Sequence, residues 1–362
     1  MYYMPKNSKD IVIVCGLRTG IGKHKGMWAK IQAHDLGKSV LKNILNQSKI
    51  DPASIDEVII GQVLTGGAGQ NPARQTAKGA GIPNEKTAYV VNQVCGSGLR
   101  AIVLGYQSIL LNDSKIVIAG GQENMSCSNN DMMLQDGLTD AFYNYHMGVT
   151  AENVAEKWNI SRNEQDNFAL SSQAKAQEAI KNKKFKDEIL NDKINQSFLD
   201  EHPRADVTIE SLSNLKPAFK KNGTVTAGNS SGINDGAAGV LIMTREEKAI
   251  VIDELYAKFS SNDNFYITDA SGMSVAQTNA LRRLCFEKGI EYKVVKNTLI
   301  QKALEKMDTD YAPFDESVLR GFSGVMFSGE NANLPAKTIK EFRKKSGSKS
   351  PVLKGASIDT DL

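Results

Sequence analysis

The sequence predicts an α/β protein: a mostly parallel, mixed sheet with helices and an α-rich insertion, then a separate, smaller α/β domain. Three observations carry this. Short apolar runs alternate with stretches of helical period from Asp10 to Ala119, the pattern of strands joined by crossover helices. From Gly120 the texture changes to short helices and polar loops, and near Thr244 a new series of helix and strand signals begins. A chain of 362 residues, 41% hydrophobic and 23% charged with net charge +3, can also fill more than one core. That balance excludes a disordered chain and one made for nucleic acid by gross charge.

In order along the chain, Asp10 to Gly16 reads as a buried strand. Asp35 to Gln47 reads as a helix with Leu36, Val40, Leu41, Ile44 and Leu45 on one face. Glu57 to Ile60 is a second strand and Asn71 to Gly79 a short helix. A β-rich run, Thr87 to Val94, meets Cys95 and then a helical pattern with Leu99, Ile102, Val103, Tyr106 and Ile109 in register. Lys115 to Ala119 is another strand. Ser161 to Glu164 is a capping box that opens a helix to about Lys181, and Ala237 to Met243 is a strand expected to return to the first sheet. Gly16, Gly20 and Gly22 do not have the spacing of a dinucleotide loop, and no acidic partner follows at the right distance.

The four cysteines, Cys15, Cys95, Cys127 and Cys285, form no C-x-x-C pair, so neither a zinc ribbon nor a disulfide framework is expected. The start, MYYMPKNSKD, lacks a basic segment followed by an apolar one, and no run of about 18 apolar residues occurs. A cytoplasmic protein without a membrane partner is the expectation.

The informative stretch is Val91 to Ala101, VNQVCGSGLRA. It places Cys95 on a strand-to-helix turn, with Gly96, Ser97 and Gly98 clearing space for a planar acyl group. A helix N-terminus favours a thiolate over a thiol. Cys95 is therefore a candidate nucleophile. The competing reading is a cysteine that is simply packed, as free cysteines commonly are.

VNQVCGSGLRA resembles the nucleophile motif of the thiolases, and other segments agree in the family's order: RTGIG at Arg18 to Gly22, GQNPAR at Gly69 to Arg74, GGQENM at Gly120 to Met125, DGLTD at Asp136 to Asp140, YHMG at Tyr145 to Gly148, and GTVTAGNSSGINDG at Gly223 to Gly236. The resemblance implies an N-terminal domain made of residues 1–120 and 223–243, with a loop domain, 121–222, that holds coenzyme A. It also implies acetyl-CoA or acetoacetyl-CoA as substrate, an acyl-enzyme on Cys95 and no permanently bound cofactor or metal. By the same resemblance His146 and Met147 line the acyl pocket, Ser231 contacts the pantetheine arm and Lys216 lies near the nucleotide end. Without the motif, His146 would read as a half-buried histidine satisfied by backbone. Two segments look short beside the family, Cys127 to Asp131 and Asn191 to Glu201, which puts the family's tetramer in doubt and leaves a homo-oligomer open.

A thiolase repeats its first domain in a second one, which carries an Asn-Glu-Ala-Phe element, a Gly-His-Pro histidine and a cysteine in Cys-x-Gly-Gly. None of these stands in this sequence, whose histidines are His24, His34, His146 and His202. A free thiol with a pKa of about 8.5 is mostly protonated at neutral pH. The resemblance makes the Gly-His-Pro histidine its proton acceptor and the second cysteine the base for the α-carbon. Loss of one member of a catalytic set commonly costs orders of magnitude. The expectation is a site that binds and slowly acylates but does not condense or cleave acetoacetyl-CoA.

The text from Met243, MTREEKAIVIDEL, resembles the start of bacterial ribosomal protein L10. Thr244 to Glu247 reads as a capping box opening a helix that buries Ile250, Leu255 and Phe259. Phe265 to Asp269 is a strand, and Ser274 to Gln277 opens a helix with Leu281 and Leu284 inward. Tyr292 to Leu299 (YKVVKNTL), Gly321 to Ser328 and Leu353 to Ala356 also match. The resemblance implies an L10-like domain over 244–362 and contacts to 23S rRNA from Arg282, Arg283, Lys293, Lys296, Asn297 and Thr298. It also implies that the acidic L7/L12 stalk proteins are not recruited, because the family's long C-terminal helix is not found here.

Gross charge would not reveal this: Thr244 to Leu362 holds 18 Lys plus Arg against 17 Asp plus Glu. Clustering is the better signal, with Lys302 and Lys306 near the first basic group and Lys337, Lys340, Arg343, Lys344, Lys345 and Lys349 in a second. A solvated helix face is the alternative. The chain thus reads as two partial proteins sharing Met243. A joined product of design, rearrangement or gene-prediction error is favoured over a fused gene, because no linker separates the parts. An inert chain with neither activity remains a third outcome.

Overall fold

The computed structural model describes residues 10–190, 199–269, 271, 273, 275–295, 297–321, 323–359 and 361. The described residues fall into two compact units, one of residues 16–44 with 55–242, the other of 243–362 with 45–54 and the chain up to Cys15.

The first sheet takes strands β1 (Ile11–Arg18), β2 (Gly22–Lys23), β3 (Glu57–Gly61), β4 (Thr87–Val91), β5 (Ile116–Asn124) and β6 (Asn234–Thr244). Its order is β1-β6-β5-β3-β4, with β2 antiparallel to β6. β3 runs parallel to both β4 and β5, as the alternation of strands and helices requires. The returning strand β6 enters between β1 and β5. Helix α1 (Ala33–Ser48) buries its predicted stripe, Leu36, Val40, Leu41, Ile44 and Leu45. Helix α2 (Pro72–Ala80) starts with the Asn71 side chain accepting the Arg74 N–H, and Pro72 needs no donor in the first turn. β5 runs on to Asn124, beyond the predicted change of texture at Gly120.

Helix α3 (Ser97–Leu110) forms where the helical period places it, and its contacts with the sheet decide which face is inside. It turns Ser97, Ala101, Gly105 and Ile109 to the inside, while Leu99, Tyr106 and Leu110 are exposed and Ile102 and Val103 half-buried. Small side chains let the helix lie close on the sheet. A Cβ on Gly105 would sit 3.0 Å from a Val117 methyl, and one on Gly61 would collide with the Ser97 carbonyl carbon. Of the residues in the expected helical register, Ile109 is buried, whereas Leu99 and Tyr106 stand on the outward face.

Beyond β5 come a short helix α4 (Asn130–Met132), a π-helical turn (Met133–Leu138), α5 (Met147–Lys157), α6 (Arg162–Lys181) and α7 (Ile209–Ser213). The capping box of α6 is reciprocal: Ser161 accepts the Glu164 N–H, and Glu164 accepts the Ser161 N–H at 2.7 Å. Of the Asn191 to Glu201 segment, residues 191–198 lie outside the described residues.

From Arg245 the elements are α8 (Arg245–Ser260), β7 (Asn264–Asp269), α9 (Val275–Glu287), β8 (Glu291–Val294), α10 (Asn297–Leu304), α11 (Ala312–Ser317), β9 (Gly324–Phe327), α12 (Leu334–Ser346) and β10 (Val352–Ile358). The four strands form one antiparallel sheet in the order β10-β7-β9-β8. Alternate residues feed two cores. Phe265, Ile267, Val325 and Phe327 pack with Phe259, Leu299 and Phe314, whereas Tyr266, Tyr292 and Met326 pack with Leu281, Cys285 and Phe342. Thr244 caps α8 by accepting the Glu247 N–H at 3.1 Å, and Leu255 and Phe259 are buried as expected. Ile250 is not: it is exposed, because α8 turns that position away from the Phe259 core. Within YKVVKNTL, Tyr292 to Val294 end β8 and Asn297 to Leu299 open α10.

Candidate functional site

Cys95 stands, exposed, in the turn Asn92 to Gly96 between β4 and α3. The turn is tied from within. Ser97 Oγ accepts the Gln93 N–H at 2.8 Å and donates to the Val94 carbonyl at 2.5 Å, while Val94 N–H donates to Asn92 Oδ1 at 2.9 Å. These bonds hold Val94 at φ 48°, a left-handed conformation that a β-branched residue adopts only under constraint. The thiol is presented by a strained, cross-braced turn one residue before the N-cap of a helix.

A cavity of about 1310 Å³ opens beside it, lined by Cys95, His146, Met147, Phe219, Ser231 and the ends of β3, β5 and β6. The sequence candidates Cys95, His146, Met147 and Ser231 are thus brought to one cavity. Lys216 is exposed and outside the cavity lining. His146 caps α5: its Nδ1 accepts the Gly148 N–H at 2.9 Å, and its ring stacks on Phe219 with centroids 4.9 Å apart. With Nδ1 accepting, the neutral imidazole carries its proton on Nε2 and serves as a hydrogen-bond donor rather than a base. Ser231 Oγ is turned to the Gly232 carbonyl at 3.1 Å.

Three further carboxylates shape the walls; Glu123 lies in the GGQENM segment, whereas no sequence signal singled out Glu152 or Asp166. Buried Glu152 accepts the N–H groups of Thr224 and Val225, at 3.0 and 2.9 Å, and so fixes the strap that carries Ser231. Burial works against its charge, but these bonds outweigh it and hold the carboxyl below its usual pKa. Asp166 takes Asn229 Nδ2 at 2.9 Å and Arg162 Nε at 2.7 Å, joining α6 to the same strap. Glu123 accepts the Val63 N–H at 2.7 Å; burial pushes its pKa up, against the pull of the Val63 and Leu64 N–H groups and with help from the nearby Asp235 charge. Among the described residues no group of three or more His, Cys, Asp or Glu is placed to hold a metal ion.

In the other unit Arg282 and Arg283 are exposed on α9, and Thr298 is exposed at the start of α10. Lys293 pairs with Glu291 at 3.1 Å, and Asn297 Nδ2 donates to the Gly321 carbonyl at 2.9 Å, a structural bond within the fold. Lys296 lies outside the described residues. Several other basic groups are matched by acids: Lys302 by Glu305, Lys306 by Asp253, Lys345 by Glu341. No helix among the described residues is long and apolar enough to cross a membrane.

Comparison with known proteins bears on both units. The family model for the thiolase N-terminal domain matches residues 11–132 and 127–246, and that for ribosomal protein L10 matches residues 243–344. An acetyl-CoA acetyltransferase of Rhizobium meliloti is 48% identical over 266 residues, 67% of each chain. One of Pseudomonas aeruginosa is 44% identical over 305 residues, covering 78% of this chain and 77% of its own. A crystal structure of the Bacillus anthracis acetyl-CoA acetyltransferase superposes with TM-score 0.63 at 32% identity, over 72% of this chain and 71% of that one. The chain spans about two thirds to three quarters of the length of these relatives. By these matches the chain belongs to the thiolase family, and it carries a ribosomal protein L10 match after residue 243.

Proposed function

We propose that Cys95 accepts the acyl group of a coenzyme A thioester, acetyl-CoA or acetoacetyl-CoA. The observation that carries the reading is the exposed thiol in a constrained strand-to-helix turn at the cavity it shares with His146. The sulfur forms a bond to the thioester carbonyl carbon, the carbon–sulfur bond to coenzyme A breaks, and the departing thiolate takes up the proton lost from Cys95. His146 Nε2–H donates to the substrate carbonyl oxygen from the cavity wall. With Nδ1 engaged by Gly148, this histidine is not the acceptor of the thiol proton. The sequence beyond residue 243 follows the L10 pattern, so this chain alone stops at the acyl-enzyme and does not complete thiolysis or condensation. The acyl transfer needs no resident cofactor, and a cytoplasmic setting suits a coenzyme A thioester.

Incubation with acetyl-CoA followed by intact-mass spectrometry tests the reading. One acetyl adduct is expected on the wild-type chain and none on Cys95→Ser; an unmodified wild-type chain retires it. Steady turnover of acetoacetyl-CoA would instead retire the claim of an incomplete cycle.

A second reading rests on the L10 match and on the exposed Arg282 and Arg283. The domain over 244–362 docks on folded ribosomal RNA of the large subunit. Contacts from arginine to phosphate supply affinity, and RNA shape supplies selection. In a gel shift with the 23S stalk-base fragment, Arg282→Glu with Arg283→Glu should weaken binding at least about tenfold; unchanged affinity counts against the assignment.

A further inference from the structure

We propose that Lys49 is a carbon dioxide site, its side-chain amine adding the gas reversibly as a carbamate in a small cationic cavity. Residues 45–54 belong to the same compact unit as 243–362. Lys49 follows helix α1 there, with its N–H donated to the Leu45 carbonyl at 3.0 Å and its φ at 60°. That left-handed position at a helix end ordinarily falls to glycine or asparagine. Here a lysine occupies it between two buried residues, Ser48 and Ile50, which fixes where its side chain starts.

The side chain enters a cavity of about 50 Å³ that it shares with Glu254, Leu255, Lys258, Lys293 and Leu299. Among the described residues neither an ion pair nor a hydrogen bond holds its amine. Burial, and after it the Arg282 charge, brings its pKa down to about 7. About half of the amine is then neutral and nucleophilic at neutral pH, against less than about one part in a thousand for an ordinary lysine.

Size and charge choose the guest. The cavity has room for about one or two waters, so acyl thioesters and long aldehydes are excluded while a triatomic electrophile fits. Charge then requires an anionic product. Lys258, Lys293 and Arg282 stand against Glu254 and Glu291, which leaves the surroundings one positive charge in excess. An ammonium at Lys49 raises that excess to two, a neutral imine or amide leaves it at one, and a carbamate cancels it. The same charges that disfavour the ammonium favour the carbamate.

In the step the Nζ lone pair forms the carbon–nitrogen bond, one carbon–oxygen π pair moves onto oxygen, and the nitrogen releases a proton to water. Nothing is oxidised or reduced, and loss of carbon dioxide reverses each move.

Treating the full chain with triethyloxonium in bicarbonate-buffered solution at neutral pH esterifies carbamates and fixes them for peptide mass spectrometry. The ethyl carbamate is expected on Lys49 and not on exposed lysines such as Lys42 and Lys344. Isotope-labelled bicarbonate should pass its carbon to the adduct. Lys258→Gln with Lys293→Gln should lower the yield at Lys49 about tenfold, since reversing the local charge restores the ammonium and repels the carbamate. Arg282→Gln, at an exposed position, should lower it by a smaller factor and decides the matter if the double variant melts differently from the wild type. No adduct at Lys49, equal yields on the exposed lysines, or a yield that none of these changes moves overturns the proposal.

Discussion

Residues 55–242 and residues 243–362 solve the same packing problem to different degrees. In the later segment the four-stranded sheet has a closed apolar core on each face, one around Phe259 and Phe265, the other around Leu281 and Phe342. In the earlier segment α3 covers its sheet with Ser97, Ala101 and Gly105 and turns its larger apolar side chains outward, next to a cavity of about 1310 Å³. The difference teaches that burial follows the contact available and not the size of the side chain. From Ser97 to Gly105, where it is pressed onto glycine-bearing strands, α3 has room inside for small residues only, so Leu99 and Tyr106 are turned outward.

The comparison is sharpened first at the two centres. Phe259→Ala should cost about 3–5 kcal/mol, since Phe259 is buried with its ring 4.7 and 5.1 Å from those of Phe265 and Phe327. Acylation of Cys95 should survive that change. Calorimetry with the mass assay checks both, and joint loss would show that the two segments fold as one.

Next in size is Glu152→Gln, expected to cost about 2–3 kcal/mol because buried N–H groups lose a charged acceptor. The pH dependence has a definite sign. Glu152 has a folded pKa below its unfolded value near 4.3, so its contribution is complete above that unfolded value and is lost as pH falls through the lower folded one. Chemical denaturation from neutral to acidic pH should show the wild type and the variant converging in acid. A gap that widens in acid would contradict the assignment.

Thr244→Ala removes the cap of α8 and should cost about 1 kcal/mol, measurable as a lower denaturation midpoint of the later segment. Lys293→Ala should change stability by less than about 1 kcal/mol, because its partner Glu291 also holds Lys258 at 2.7 Å and the pair is partly exposed. A larger loss would mean that the basic cluster is structural.

Much of this was legible in the residues. Capping patterns located α6 and α8, period placed the buried stripe of α1, and the strand-to-helix turn around Cys95 was visible as VNQVCGSGLRA. One residue was read the wrong way round, Ile250, and the outward face of α3 could not be read at all, because periodicity tells which residues share a face and not which face meets the core. Glu152 and Asp166 were not singled out, since the groups that tie them to the 224–229 strap lie far along the chain.

By itself the sequence determined the local elements, their order and the resemblance to two families, because turn chemistry, caps and hydrophobic period act over a few neighbouring residues. Only the tertiary structure decided that Cys95, His146 and Ser231 line one cavity while Lys216 stands outside it, and that α3 shows its bulky side to solvent. Those outcomes depend on how closely one backbone approaches another and on which distant groups satisfy a buried charge, and no short stretch of chain encodes either.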